Sequence, residues 1–186
     1  MAPTSTAGRL EVICGPMFAG KTTELLRRIT AAAALGTPVT VLRPVRDTRS
    51  LRNSIETHAG ERHAAVEVLH AGQVAGLAGA SPVVMIDEAH FFGEPLLEAC
   101  LTLVAQGRRV VVAGIDFDHF GRHFEPFPGL LAAANHVVRL QGTCARCGAP
   151  STRTQRLVAS TARIVVGGAE SYEPRCESCF TPSAGD

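Results

Sequence analysis

What the chain has little of narrows it first. No apolar run approaches the roughly 20 residues that a membrane-spanning helix needs, so no span is expected. The opening MAPTSTAG lacks a charged stretch followed by an apolar one, so no secretory leader is expected. A formal net charge of +1 leaves no electrostatic footprint for nucleic acid or an anionic membrane, and counts against both partners. Lysine is almost missing: of 18 basic residues Lys21 alone is lysine and the rest are arginine. That one lysine stands in a glycine-bounded loop between a strand pattern and a helix pattern.

The 186 residues have room for one domain with a small appendage, and 46% hydrophobic content suffices for a sizeable core. Of six cysteines, Cys14 and Cys100 lie in apolar segments and read as small buried hydrophobes. The other four form the pairs Cys144/Cys147 and Cys176/Cys179. Without an export signal such CxxC units read as metal ligands rather than disulfides, and the expected compartment is the cytoplasm.

Strand and helix patterns alternate along the first three quarters of the chain. Leu10–Cys14 (LEVIC) is a buried strand ending in glycine, and Lys21 to Leu35 is a helix with Leu25, Leu26 and Ile29 on one face, stopped by Gly36 and Pro38. Val39–Leu42 is a second strand, and the polar, arginine-rich residues 44–63 predict a long, partly mobile loop. A strand at Val83–Ile86 follows, then a helix over Glu94–Gln106 with Leu97, Cys100, Leu101 and Val104 on its apolar face. Val110–Ile115 is another apolar run. A Phe- and His-rich loop then leads to a short helix near Leu130–Asn135 and a strand at Val137–Leu140. Strands apolar on both faces and separated by helices predict an α/β fold, a parallel sheet covered on both sides. From Gly142 the character changes to paired cysteines and glycines. The expected divisions are a disordered tail at 1–8, a nucleotide-binding domain at 9–141, a metal-stapled module at 142–181 and a second tail at 182–186.

Gly15-Pro16-Met17-Phe18-Ala19-Gly20-Lys21-Thr22 matches GxxxxGK[ST] between strand and helix, the context that makes the pattern a P-loop. Its backbone N–H groups and the helix N-terminus suit phosphates, Lys21 the β- and γ-phosphates, and the Thr22 hydroxyl Mg²⁺, so ATP-Mg is the expected co-substrate. Asp87, ending the strand VVMI, fits a carboxylate that holds Mg²⁺ through water. Glu88, next along, is free to act as general base, or is a solvated loop residue. Asp87-Glu88-Ala89-His90 also spells DEAH, a signature of nucleic-acid-dependent ATPases, although such motors need two sheets of this kind.

Cys144, Cys147, Cys176 and Cys179, separated by residues 148–175, fit a closed four-thiolate zinc site, with two redox pairs as the alternative. Bound zinc would fold a segment too small for its own core. Between the knuckles lies Arg163-Ile164-Val165-Val166-Gly167-Gly168 and, shortly after, Tyr172, the only tyrosine. It reads as a hairpin with a glycine turn, or as a metal-anchored loop covering a small ligand. A non-catalytic zinc adaptor, with the P-loop as nucleotide sensor, stays open on these residues alone.

In combination and order, GPMFAGKTTEL, the triplet Asp47-Thr48-Arg49, IDEAHFF, a Phe-rich loop ending in Pro126-Phe127 and the tail CxxC…GGxxxY…CxxC resemble the cytosolic and bacterial type of thymidine kinase, from about residue 10 to 180. The resemblance implies a P-loop domain with a zinc lasso, assembled as a homotetramer, serving nucleotide salvage and subject to feedback inhibition by thymidine triphosphate. It implies thymidine as acceptor, with deoxyuridine possible, and Glu88 as general base aided by Lys21 and Arg49. Asp47, Asp87 and His90 join the P-loop around ATP-Mg, His90 standing where the family usually has glutamine. Met17, Phe91, Ile115 and Thr154 map to the nucleoside pocket. So do Arg163, Ile164, Val165, Val166 and Gly167 of the lasso, and Tyr172. Phe120 is the phenylalanine chosen to stack on the base, over Phe117 and Phe124.

Overall fold

The computed structural model describes residues 7–47, 53–57, 59–160 and 162–183. Six strands form one wholly parallel sheet: β1 (Arg9–Cys14), β2 (Val39–Pro44), β5 (Val66–Val68), β6 (Val83–Ile86), β7 (Arg109–Gly114) and β8 (His136–Arg139). Their order across the sheet is β5-β2-β6-β7-β1-β8.

The period-2 pleat explains why the strands are apolar throughout. Leu10, Val12, Cys14, Val84, Ile86, Val110 and Val112 point to one face, into a core shared with α3 (Pro95–Ala105) and α4 (Phe127–Ala133). Ile13, Val41, Met85, Val111 and Ala113 point to the other, where Leu25, Leu26 and Ile29 of α1 (Lys21–Ala34) cover them. Each fully buried Leu or Ile contributes about 1.5–3 kcal/mol. Glu11 is the buried charge on the α1 side of β1; it accepts hydrogen bonds from Arg28 (2.5 Å) and Arg109 (2.7 and 3.0 Å) and pairs with Arg9.

Three expectations change. The stretch 44–63 is largely built: β3 (Ser54–Glu56) and β4 (Arg62–Ala64) form an antiparallel hairpin that buries Ile55, and β5 extends the main sheet. Three-residue strands leave too little periodicity to be seen. On α3 the buried stripe is Leu96, Cys100 and Leu103, while Leu101 is 42% exposed. Leu97 turns toward α4, where only Gly129 leaves it room: a Cβ there would meet Leu97 Cδ2 at 2.5 Å. Residues 164–167 form neither strand nor hairpin; their neighbour Tyr172 begins β12 (Tyr172–Arg175), which pairs with β11 (Arg153–Arg156). At the C-terminus Thr181 and Ser183 are tied down by Gln155 and the His119 carbonyl.

Candidate active site

The loops leaving β1, β2, β6 and β7 gather at the carboxyl edge of the sheet, where parallel α/β folds bind ligands. Gly15 follows β1 with φ 145°, and a Cβ there would lie 2.3 Å from the Leu140 carbonyl oxygen, so only glycine fits. The loop closes on Gly20 in the left-handed region (φ 83°), and α1 starts at Lys21. Lys21 is buried and its Nζ donates to the Pro16 carbonyl at 2.5 Å, bringing the chain's one ammonium to the loop's own centre. The loop also touches the C-terminal module: Met17 N donates to the Thr154 hydroxyl at 3.0 Å.

Asp87 continues β6 beside the start of α1, and the Thr22 hydroxyl donates to its Oδ2 at 3.1 Å. Burial, and then the charge of Glu88, pushes the Asp87 carboxyl up to about 7, against the opposing pull of the Glu88 N–H, the Thr22 hydroxyl and Lys21. Glu88 has φ 49°, a conformation costly for a residue with a side chain and concentrated at functional sites. The kink sends Glu88 into a cleft of about 610 Å³ with Lys21, Thr22, Asp87 and Asp47. Asp47 is held there by Arg43, which is 2% exposed and donates to the Ser54 carbonyl at 2.6 Å and to the Asp47 carbonyl. Arg49 and Thr48 lie outside the described residues.

A second, apolar pocket adjoins this cleft and shares Met17, Ile115, Val166 and Gly167 with it. Phe91, Thr154, Arg163, Ile164, Val165 and Tyr172 complete the part expected from the sequence. His90, expected beside the nucleotide, lines this apolar pocket instead. The Glu88 kink turns the chain back under β7, so His90 is seated between Phe91 and Phe124, with Nδ1 3.5 Å from both Glu88 Oε2 and the Ile115 N. The phenylalanines also differ from expectation. Phe117 and Phe124 line the pocket, whereas Phe120 stacks on His119 and under the Arg122 guanidinium, outside the lining.

The 117–123 loop owes its shape to Asp118. Its Oδ1 accepts the N–H groups of Phe120 (3.0 Å) and Arg122 (2.9 Å), and its Oδ2 accepts Arg163 Nε (2.9 Å). Residue 160 and the segment 162–167 are pinned from within by Arg156, which is 6% exposed. Arg156 donates to the carbonyls of Ser160, Ala162 and Arg163 and to the Tyr172 hydroxyl, which in turn donates to the Val165 carbonyl at 2.8 Å. Sequence reading weighed Phe117 and Phe124 but chose Phe120, and it did not single out Asp118, His119, Arg43 or Arg156. Nothing local marks an arginine in a short strand as a loop anchor.

Cys144, Cys147, Cys176 and Cys179 converge on one cluster whose sulfurs all lie within 4.8 Å of one another, a donor set able to hold one metal ion. Arg153 couples this module to the pocket, its guanidinium 3.9 Å from the centre of the Phe117 ring and paired with Glu177. Among the described residues no helix is long and apolar enough to cross a membrane.

Residues 8–180 match the family described as thymidine kinase. A thymidine kinase of Rhodothermus sp. (strain ITI 518) is 42% identical over 177 residues, 95% of this chain and 83% of that protein. Those of Halobacterium salinarum (39% identical, 96% of this chain and 97% of the relative) and Chloroflexus aurantiacus (38%, 98% and 100%) align end to end. A match of this extent makes the chain a member of the thymidine kinase family.

Proposed function

We propose that this chain transfers the γ-phosphoryl group of ATP to the 5′-hydroxyl of thymidine, with deoxyuridine as a second acceptor, in cytoplasmic nucleotide salvage. The observation that carries the reading is the adjacency of the two pockets. A polar cleft with a P-loop, Lys21 and the neighbouring carboxylates Asp87 and Glu88 shares a wall with an apolar pocket of the right chemistry for a base. A nucleoside with its base in the apolar pocket presents its 5′-hydroxyl at that shared wall, toward Glu88.

In this mechanism residues 15–22 cradle the phosphates and Lys21 exchanges the Pro16 carbonyl for the β- and γ-oxygens. Mg²⁺ suits the hard oxygens of Thr22 and Asp87, which already lie side by side. A cation there offsets the charge that the buried Asp87 otherwise resists carrying. Glu88 accepts the 5′-hydroxyl proton as that oxygen attacks the γ-phosphorus in line, and Lys21 and Arg49 offset charge on the transferring group. Asp47 lies at the same cleft, near the phosphates. The apolar pocket measures about 40 Å³, room for roughly three waters. The 163–167 segment therefore moves outward to admit a base and closes over it, excluding the water that would compete as acceptor.

Zinc fits the cysteine cluster: Zn–S bonds of about 2.3 Å place tetrahedral sulfurs roughly 3.8 Å apart, and Cys147 and Cys176 are 3.5 Å apart. Zinc there has a structural role, holding β11 and β12 and hence the lasso, and the division into residues 9–141 and 142–181 belongs to the same reading. The homotetramer and feedback inhibition by thymidine triphosphate are carried over from the family resemblance. Formation of thymidine monophosphate from radiolabelled ATP tests the reading. The unmodified chain makes it, and Glu88→Gln makes it roughly 10²–10⁴-fold more slowly at nearly unchanged thymidine affinity. No product from the unmodified chain contradicts the function, and an unchanged rate in the variant removes Glu88 from it.

A further inference from the structure

Arg163 joins two walls of the apolar pocket. Its main chain opens the 163–167 segment of the lasso, and its side chain ends on the loop that follows β7. There Nε donates to Asp118 Oδ2 at 2.9 Å and Nη2 donates to the His123 carbonyl at 3.0 Å. The guanidinium carbon lies 5.1 Å from the centre of the Phe124 ring, itself part of the pocket lining. On its other side residue 163 is held by its own module, since Arg156 donates to the Arg163 carbonyl at 2.9 Å. One residue therefore ties the lasso to the loop after β7.

The carboxylate of Asp118 is matched to this partner. Asp118 is 1% exposed, and Arg163 is its ion-pair partner among the described residues. The N–H groups of Phe120 and Arg122 on Oδ1 shape the turn, but an asparagine oxygen would accept them as well. What only the carboxylate supplies is charge at Oδ2, where the guanidinium sits. Lifting the segment strips a buried charge of its cation, so the pair resists opening. Apolar packing holds the segment less firmly, because Ile164 is 37% and Val166 40% exposed.

We propose that Arg163 and Asp118 are positioning residues of the nucleoside site: their ion pair clasps the 163–167 segment over the apolar pocket, and its release admits the nucleoside. The inference rests on the thymidine kinase reading, in which that segment closes over the base. It gives the arginine side chain a task separate from that of the backbone it carries. A clasp made both before and after the base enters slows entry and exit alike, and keeps water out during transfer.

Asp118→Asn tests this, because the turn keeps its acceptor while the charge is lost. Thermolysin, which cuts before accessible Ile and Val, reads the opening in the ligand-free protein. Cleavage between residues 163 and 166 runs about tenfold faster in the variant, the loss expected for one charge-assisted bond, while cleavage elsewhere stays within twofold. Arg163→Met keeps an apolar stem over Phe124 without the guanidinium; it behaves the same way and serves if the asparagine variant does not fold. Rapid mixing with thymidine, followed by the fluorescence of Tyr172, gives the second readout, since the chain has one tyrosine and no tryptophan. Association and dissociation both run about tenfold faster in the variants, and Kd changes less than either rate. Thymidine is uncharged, so added salt does not alter its encounter with the protein. Salt therefore speeds binding to the unmodified chain severalfold by screening the half-exposed pair, and leaves binding to both variants within twofold. Unchanged cleavage of the segment in both variants, cleavage raised equally along the whole chain, or binding to the unmodified chain that ignores salt overturns the proposal. Thymidine bound but not phosphorylated defeats the kinase reading and leaves the clasp standing; no binding of thymidine at all defeats both.

Discussion

Asp87→Asn should make the ligand-free protein more stable while abolishing its activity. The folded state lifts this carboxyl from an ordinary value of 3.8 to about 7, through burial and then the Glu88 charge. Between those two values the folded chain binds a proton that the unfolded chain has released, so stability falls as pH rises through the window and is flat above it. The shift of roughly three units corresponds to about 4 kcal/mol at most. Asparagine carries no charge, and its carbonyl can still accept the Glu88 N–H now bonded to Asp87 Oδ1 at 2.9 Å. Allowing for an altered contact to Thr22, the net gain at pH 8 is roughly 2–3 kcal/mol, or about 4–12 °C in melting temperature for a chain of this size. Thermal denaturation of zinc-loaded protein without nucleotide, at pH 5 and pH 8, measures it. The gain is largest at pH 8 and shrinks toward pH 5, and ATP-Mg narrows it by stabilising the unmodified chain. A variant no more stable than the parent at pH 8, or a gain independent of pH, refutes the reasoning.

Three further outcomes follow from other parts of the molecule. Arg156→Gln removes a guanidinium that holds three carbonyls and the Tyr172 hydroxyl. At about 1 kcal/mol per lost bond, steady-state kinetics should show the thymidine KM rising roughly 10–100-fold while the ATP KM holds. Zinc removal by chelation should abolish transfer and lower the melting temperature, with both restored by added zinc; metal analysis of the fresh protein should find one zinc per chain. Burial works to raise the Glu11 carboxyl, but Arg109, Arg28 and Arg9 outweigh it and hold the group below its ordinary 4.5. Its stabilisation is present above that value and is lost as pH falls below it, so Glu11→Gln should cost about 3–5 kcal/mol in urea denaturation at pH 7 and progressively less in acid.

Legibility in the sequence followed the physics of each element. The central strands declared themselves because both faces are buried, and α1 because a glycine loop opens it and Leu25, Leu26 and Ile29 share its face. The β3–β4 hairpin was invisible because three-residue strands rest on tertiary contacts such as that of Ile55. The stripe on α3 went astray because almost every residue from Leu96 to Val104 is apolar, so periodicity could not choose between Leu101 and Leu103. At the site, Lys21, Thr22, Asp87 and Glu88 are contiguous in motifs and are brought into one cleft. Arg156 is not; its role arises only when β11 meets the 162–167 segment and Tyr172. His90 stands in a motif, but the left-handed kink at Glu88, which a sequence does not announce for a glutamate, decides which pocket it enters.

The most direct measurement is phosphoryl transfer by the purified chain from ATP-Mg to each of the four deoxynucleosides and to deoxyuridine, with and without added nucleic acid. The account predicts labelled monophosphate from thymidine well above that from the purine nucleosides, and no stimulation by DNA or RNA. ATP hydrolysis that rises with nucleic acid, and transfer to none of the nucleosides, would contradict it and restore the reading of residues 87–90 as a motor motif.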